Sequence, residues 1–498
     1  MPAISRPGAD PVSLADVAAA TDSATQSPHL LVTGVTLDSR AVQPGDLYAA
    51  LPGHHTHGAR FAESALQAGA VAILTDEEGA DLVGEAPVPV LVVDRPRARL
   101  GDVASLVYRH PSRDLQLLAV TGTNGKTTVA TMVESGLRAA GRRTGLIGTI
   151  GVQIAGVAYS GARTTPEATD LHAILAVMRD QGVESVVMEV SSIALDEHRV
   201  DGVVFDVAAF TNLTQDHLDY HASMEDYFAA KARLFTPAHA ARGVVGVDDE
   251  WGRRLAETAK VPRDTWSLLD PQAAWHARRA ETGLVLVGPE GIEQAIDMRM
   301  PGAFNVANAV CAFAMLVRSG VQAEMAAAGI GSVQVPGRMQ VVRGSSQVTG
   351  IVDYAHSPDA IERVLRAARE DYSGRLIVVI GAGGDRDRTK RPLMGLTAAR
   401  LADEVIVTDD NPRSEDPGLI RAAVLEGTVS VASTHRAEVH EEGDRAAAIR
   451  FAVSRAQAGD VVLVLGKGHE QGQEVAGVVT AFDDASVLQS ALGAVAAP

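Results

Sequence analysis

The 498-residue chain has a formal net charge of −18, with 46% hydrophobic and 21% charged residues. This is the composition of a soluble globular protein, too long for one ordinary core, and the length points to roughly three domains. The charge disfavours nucleic acid and acidic membranes, so an anionic ligand has to be held by local arginines, lysines and helix N-termini.

A single cysteine, Cys311, excludes an intrachain disulfide and a cysteine-based metal site. It stands in the apolar stretch Ala309–Leu316 and reads as a small core residue on a helix. No charged leader followed by an apolar segment opens the chain, and the longest apolar runs are strand-length. The expectation is a cytoplasmic protein without membrane insertion.

Residues 31–75 mix short strands with a helix over Ala59–Ala68. Between them, Leu37-Asp38-Ser39-Arg40, Pro44-Gly45-Asp46-Leu47-Tyr48 and Gly53-His54-His55-Thr56 read by themselves as turns. A polar segment with a proline, Tyr108–Asp114, marks a first break, and Val335–Ser346 marks a second. The expected domains are 1–112, 113–343 and 344–498.

In the second domain the apolar run Leu115–Val120, the helical stretch Thr127–Ala140 and the run Thr144–Gly148 read as strand, helix, strand. In the third, Leu376–Ile380, Glu404–Thr408 and Val461–Leu465 are strands with helices between them. That alternation predicts parallel sheets with crossover helices. The fold class is α/β, with three α/β domains in series, the central one built on a parallel sheet and the C-terminal one Rossmann-like.

The most specific local signal is Thr121-Gly122-Thr123-Asn124-Gly125-Lys126-Thr127-Thr128, which closes a strand and opens a helix. Its glycines let backbone N–H groups turn onto phosphate oxygens. Lys126 supplies a cation for the β- and γ-phosphates, and the Thr127 hydroxyl suits Mg²⁺. Val120 stands where the general pattern has its first glycine. Downstream, Glu189 ends a predicted strand, Ser185–Val190, where it reads equally as a Mg²⁺ ligand or as a solvated acid. Lys231, in Asp226-Tyr227-Phe228-Ala229-Ala230-Lys231, reads by itself as a surface lysine on a helix.

The string GTNGKTT resembles the phosphate loop of the Mur ligase and folylpolyglutamate synthetase family, whose members make an acyl phosphate from a carboxylate and ATP and let an amine displace phosphate. Further segments carry the likeness over roughly residues 31–484. They are DSR and GDLY near residues 38–48, the segment from Thr211-Asn212-Leu213 through Asp216-His217-Leu218-Asp219-Tyr220-His221, Asp353-Tyr354-Ala355-His356-Ser357-Pro358, and Gly381–Pro392.

The resemblance implies roles residue by residue. Gly122, Thr123, Asn124, Gly125, Lys126, Thr127 and Thr128 would bind ATP, with Asn305, Asn308, Arg338, Asp353 and His356. Thr127, Glu189, His217 and a CO₂-derived carbamate on Lys231 would hold Mg²⁺, and Lys126, Lys231 and His217 would serve catalysis. A UDP-linked muramyl dipeptide, UDP-MurNAc-L-Ala-D-Glu, would meet Leu37, Ser39, His54, His55, Thr56, Thr164, Thr165, Ser191, Glu197 and Arg199. One departure stands beside Ser191-Ser192: the family usually has a histidine next, and this chain has Ile193.

The amine side is implied by GxGGDRDxxKRP, with Arg391, and by Asp410-Asn411-Pro412-Arg413 and Gly466-Lys467-Gly468-His469-Glu470. In the family DNPR accompanies addition of meso-diaminopimelate. The reason is physical: that amino acid has a far carboxylate, and a buried carboxylate demands a charged partner. Asp410, Asn411, Pro412, Arg413, Gly466, Glu470 and Arg391 would then line its pocket. A relative that adds L-lysine or L-ornithine is the alternative. A folylpolyglutamate synthetase and a non-catalytic nucleotide-dependent regulator are the other readings. Three domains built around one site imply closure of the third over ATP; with the negative charge, the expectation is no nucleic-acid partner, and the chain is expected to be a monomer.

Overall fold

The computed structural model describes all residues except 1–3, 5, 9, 54, 55, 160, 162, 219, 281, 282, 346, 433–435 and 495–498. The chain divides into two compact units: 1–297 with 307–330, and 298–306 with 331–498.

The first unit contains two sheets with parallel cores. Strands Gly34–Thr36, Asp46–Ala49, Ala72–Thr75 and Val90–Val92 pair in parallel in chain order. The expected helix 59–68 is a 3₁₀ turn, Gly58–Phe61, followed by the helix Ala62–Gln67. The second sheet has eleven strands. Its parallel core runs Thr144–Gly148, Ser185–Glu189, Gln116–Thr121, Val207–Phe210, Gly243–Gly246, Arg263–Ser267, Trp275–Arg279. Burial on both faces explains why central strands such as Gln116–Thr121 and Val207–Phe210 read as apolar runs rather than as alternating patterns. Antiparallel strands extend the sheet at both edges.

The helix Ala168–Asp180 serves both cores of this unit. Leu171, Leu175 and Met178 pack into the central cluster, while Ala168, Ala173 and Ala176 pack against the first sheet's side chains. Cys311 lies on the helix Ala303–Arg318, fully buried, and burial pushes its thiol far above the ordinary range.

The second unit is a six-stranded sheet ordered Gln340–Arg343, Thr349–Asp353, Val461–Leu465, Leu376–Ile380, Glu404–Val407, Glu438–Glu441. All pairs are parallel except the first. The register sets Asp353 and Ile380 beside Leu465, and Val407 beside Ile380. The loops after these four strands therefore leave from one edge, the carboxyl edge where open α/β sheets bind ligands. Among the described residues, no helix is long and apolar enough to cross a membrane.

Candidate functional site

The strand Gln116–Thr121 feeds the loop that opens the helix Lys126–Ala139. Gly122 (φ 143°) and Gly125 (φ 89°) take backbone angles that side chains resist, and the loop has no room to spare. A Cβ on Gly122 would lie 1.9 Å from Thr211 Oγ1, and one on Gly125 would lie 2.4 Å from Asn308 Oδ1. The 211–214 segment latches the loop. Thr123 N donates to Asn212 O (2.8 Å), Asn124 N to Asn212 Oδ1 (3.1 Å) and Thr211 Oγ1 to Asn124 O (2.6 Å).

Two lysines converge on one carbonyl here. Lys126 Nζ donates to Gly122 O (2.9 Å) and Thr123 O (3.0 Å), and Lys231 Nζ donates to the same Gly122 O (2.9 Å). Lys231 is only 1% exposed and its amine lies 4.6 Å from the centre of the Tyr227 ring, so the surface reading is corrected. Burial, and next the charge of Lys126, hold this amine well below the usual lysine range. Local periodicity gave no sign of it, because the burial comes from a loop 109 residues away in sequence.

The register places Glu189 opposite Val120 on the neighbouring strand, next to the phosphate loop. Its carboxylate is 1% exposed and accepts from Thr127 Oγ1 (3.0 Å), Thr149 Oγ1 (3.0 Å) and Thr149 N (2.8 Å). A buried carboxylate flanked by two hydroxyls is a donor set of hard oxygens, which fits Mg²⁺. It is also no solvated acid. Thr149 was not anticipated from sequence. His217 belongs to a different cluster: it is half-exposed beside Asp216 and sits edge-on to Tyr227 at 6.1 Å. Tyr227 thus connects His217 to Lys231, while Thr127 pairs with Glu189.

Thr165 Oγ1 donates to Glu189 O (2.9 Å) and receives Ser191 N (3.1 Å), and Thr164 Oγ1 lies 3.1 Å from Thr149 Oγ1. Thr164, Thr165 and Ser191 are therefore gathered around Glu189. Ser191 also caps the short helix Ser192–Asp196. Arg199 reaches Thr165 O (3.3 Å) and pairs with Glu197 and with Glu167 (3.1 Å). Glu167 additionally holds Arg97 and Arg163, a cluster that no sequence motif had marked. Near Ile193, His221 Nε2 lies 2.9 Å from Ser192 Oγ.

In the first sheet's loops, Ser39 starts a 3₁₀ turn that Asp38 caps, with Arg40 folded back onto Asp38 (2.9 and 2.8 Å). Leu37 is half-buried and Thr56 exposed. His54 and His55 lie outside the described residues.

At the carboxyl edge of the second unit, Asp353 is buried and accepts from Met339 N (2.7 Å) and Ala355 N (2.8 Å). Burial raises its carboxyl above the ordinary range, against the pull of Arg338. Arg338 lies over the Tyr354 ring at 4.6 Å, and His356 Nδ1 meets Tyr354 O (2.8 Å). Asn305 is buried and donates to Pro301 O (2.6 Å); Asn308 stands by Gly125.

The amine-side residues form one knot. Arg391, 4% exposed along its side chain, donates to Glu415 (2.8 and 3.1 Å) and to Gly383 O (3.1 Å). Arg413 (φ 52°) donates to Gly384 O (2.7 Å) and lies 3.6 Å from Glu474. Asn411 Nδ2 donates to Glu470 (2.7 Å), and the buried ammonium of Lys467 reaches Asn411 Oδ1 (3.0 Å) and Glu470 (3.1 Å). Asp410 packs on Gly466 (φ 114°), where a Cβ would come 2.4 Å from Asp410 Oδ2, and Pro412 O faces Gly384. All seven expected residues meet here. Glu415 and Lys467 were missed although both lie in or beside quoted motifs.

Among the described residues, three ligand-type side chains converge within 4.8 Å at Glu404, Glu438 and His440, away from these loops. Arg455 pairs with both acids (2.7 and 2.9 Å), which makes this cluster an ion-pair network.

A phosphate loop at the edge of a parallel sheet, followed in the chain by a second parallel-sheet domain, defines a P-loop α/β protein. Its three parts match the Mur ligase family catalytic domain over residues 31–108, the Mur ligase middle domain over 120–316 and the Mur ligase glutamate ligase domain over 337–468. The chain is 52% identical to the UDP-N-acetylmuramoyl-L-alanyl-D-glutamate--2,6-diaminopimelate ligase of Streptomyces avermitilis over 488 residues, 96% of each protein. It is 50% identical to the ligase of the same name from Corynebacterium glutamicum, over 93% of this chain and 92% of that one. A solved structure of a UDP-N-acetylmuramoyl-L-alanyl-D-glutamate--2,6-diaminopimelate ligase superposes with a TM-score of 0.70 at 33% identity, covering 97% of this chain and 99% of the other. The chain belongs to the Mur ligase family.

Proposed function

We propose that the chain is an ATP-dependent ligase that adds meso-diaminopimelate to UDP-MurNAc-L-Ala-D-Glu in peptidoglycan precursor synthesis. The observation that carries this reading is the pair Arg391 and Arg413 on two interlocked loops, a setting for an amino acid with two carboxylates. The relatives of known activity point the same way, and their names favour diaminopimelate over lysine.

In this reading the γ-carboxylate of the D-glutamyl residue attacks the ATP γ-phosphorus and releases ADP. The diaminopimelate amine then displaces phosphate from the acyl phosphate, forming the amide. Lys126 and the backbone of Gly122–Gly125 would neutralise the phosphates, so catalysis rests on positioning and electrostatics. Mg²⁺, held by Thr127 and Glu189, would spread charge over the transferring phosphoryl group. Lys231 in its neutral form would take up CO₂ through its nitrogen lone pair, losing one proton to give a carbamate anion. Thr164, Thr165, Ser191, Glu197 and Arg199 would face the muramyl dipeptide. Uridine contacts at Leu37 and Ser39, and nucleotide contacts at Asn305, Asn308, Arg338, Asp353 and His356, rest on the family resemblance. The boundaries 1–112, 113–343 and 344–498 rest on the polar breaks in the sequence, the cytoplasmic location on its composition, and a monomeric state completes the reading.

The test is ATP-dependent phosphate release with UDP-MurNAc-L-Ala-D-Glu and, in turn, diaminopimelate, lysine, ornithine, glutamate or no amine. Release that requires diaminopimelate is expected; equal release with lysine refutes the amine assignment.

A further inference from the structure

We propose that Glu415 is a positioning residue of the amine pocket: it fixes Arg391, and through their shared knot of loops Arg413, in the attitude that receives the amino acid's carboxylates. The inference rests on the reading above that these two arginines face the amine substrate.

Glu415 stands two residues beyond Arg413, on the loop after the strand Glu404–Val407. Arg391 opens the helix Lys390–Leu401 after the glycine-rich loop. Each arginine is held by the other's loop. Arg413 donates to Gly384 O (2.7 Å), and Arg391 donates to Glu415 through both terminal nitrogens. The backbones join as well: Gly384 N donates to Asn411 O (2.8 Å) and Asp385 N to Glu415 Oε1 (2.6 Å). The loops touch so closely that a Cβ on Gly384 would lie 1.9 Å from Pro412 O.

A guanidinium buried as deeply as Arg391 needs a carboxylate partner, and the bidentate fork fixes its plane as well as its charge. Glu415 supplies that partner, with Arg388 adding a third pairing at 3.2 Å. The Nε–H of Arg391 is buried and has no acceptor among the described residues. Held by Glu415 on one side, the guanidinium keeps that N–H for an incoming carboxylate.

The experiment compares wild type, Glu415→Gln and Glu415→Asp by steady-state kinetics with each substrate varied, after thermal melts establish folding. Glu415→Gln should raise KM for diaminopimelate at least about tenfold, equivalent to about 1.4 kcal/mol. KM for ATP and for UDP-MurNAc-L-Ala-D-Glu should stay within about twofold, and Glu415→Asp should recover part of the loss because it keeps the charge. An unchanged or lower KM for diaminopimelate overturns the proposal, as does a parallel rise in all three KM values, the mark of a general structural role. A wild type without diaminopimelate-dependent phosphate release defeats the activity reading itself and this assignment with it.

Discussion

Lys231 and Lys126 donate to one carbonyl oxygen, and the charge of Lys126 adds to burial in holding the Lys231 amine below the usual lysine range. Lowering a buried amine in this way favours its nucleophilic neutral form, and CO₂ is an electrophile small enough to reach it. Lys231→Arg keeps the length and a donor but cannot form the carbamate. Turnover should fall about 10–100-fold, the usual loss when metal support is removed. A ¹³CO₂-derived carbamate resonance should appear in the wild type and vanish in the variant. Its absence from an active wild type would end the carbamate assignment. At Arg413 the physics is simpler. If the proposed assignment holds, Arg413→Ala would leave the far carboxylate of diaminopimelate unpaired, and kcat/KM should drop by about 10²-fold. Unchanged kinetics would remove Arg413 from the pocket.

The phosphate loop shows how much an element can reveal in sequence and where that ends. The expected strand 115–120 and helix 127–140 are the observed Gln116–Thr121 and Lys126–Ala139, because apolar runs and glycines are local signals. The strands expected at 376–380 and 461–465 fall on those same residues. Lys231, Glu415 and Lys467 were not legible in this way. Their partners lie 109, 24 and 56 residues off in sequence, and periodicity carries no information at that range. The first domain's helix came out shorter for a related reason: His57 Nδ1 accepts from Ala59 N and sets a 3₁₀ turn ahead of it. At this scale Gly122→Ala is the decisive change. It forces a side chain into a positive-φ position and onto Thr211, so the latch to 211–214 must open. Calorimetry should show ATP binding lost and the melting temperature lowered; normal ATP affinity would contradict the loop assignment.

Across the first unit, the helix Ala168–Asp180 joins two cores, and His172 sits on it fully buried. Its Nε2–H donates to Asp201 O (3.2 Å), while Nδ1 has no partner. Protonation would leave an unsatisfied N–H in the interior, and burial lowers this imidazole from 6.5 to about 4. The unfolded chain therefore takes up a proton below 6.5 that the folded one refuses. Its contribution to stability is complete above pH 6.5 and is lost progressively as pH falls toward 4. His172→Gln should flatten the fall in urea-unfolding free energy over that window. An unaltered slope would show that other groups govern the acid response.

The solitary Cys311 has a practical consequence. Its thiol is sealed in the core and resists ionisation, so maleimide reagents should ignore the native protein. Any cysteine placed on the surface then becomes a unique handle for a dye. Val478 is well suited: it is 63% exposed on the hairpin whose other strand bridges Arg413 at Val475. If the proposed amine pocket holds, a fluorophore there would report amine binding in real time from a chain that needs no background cysteine removed.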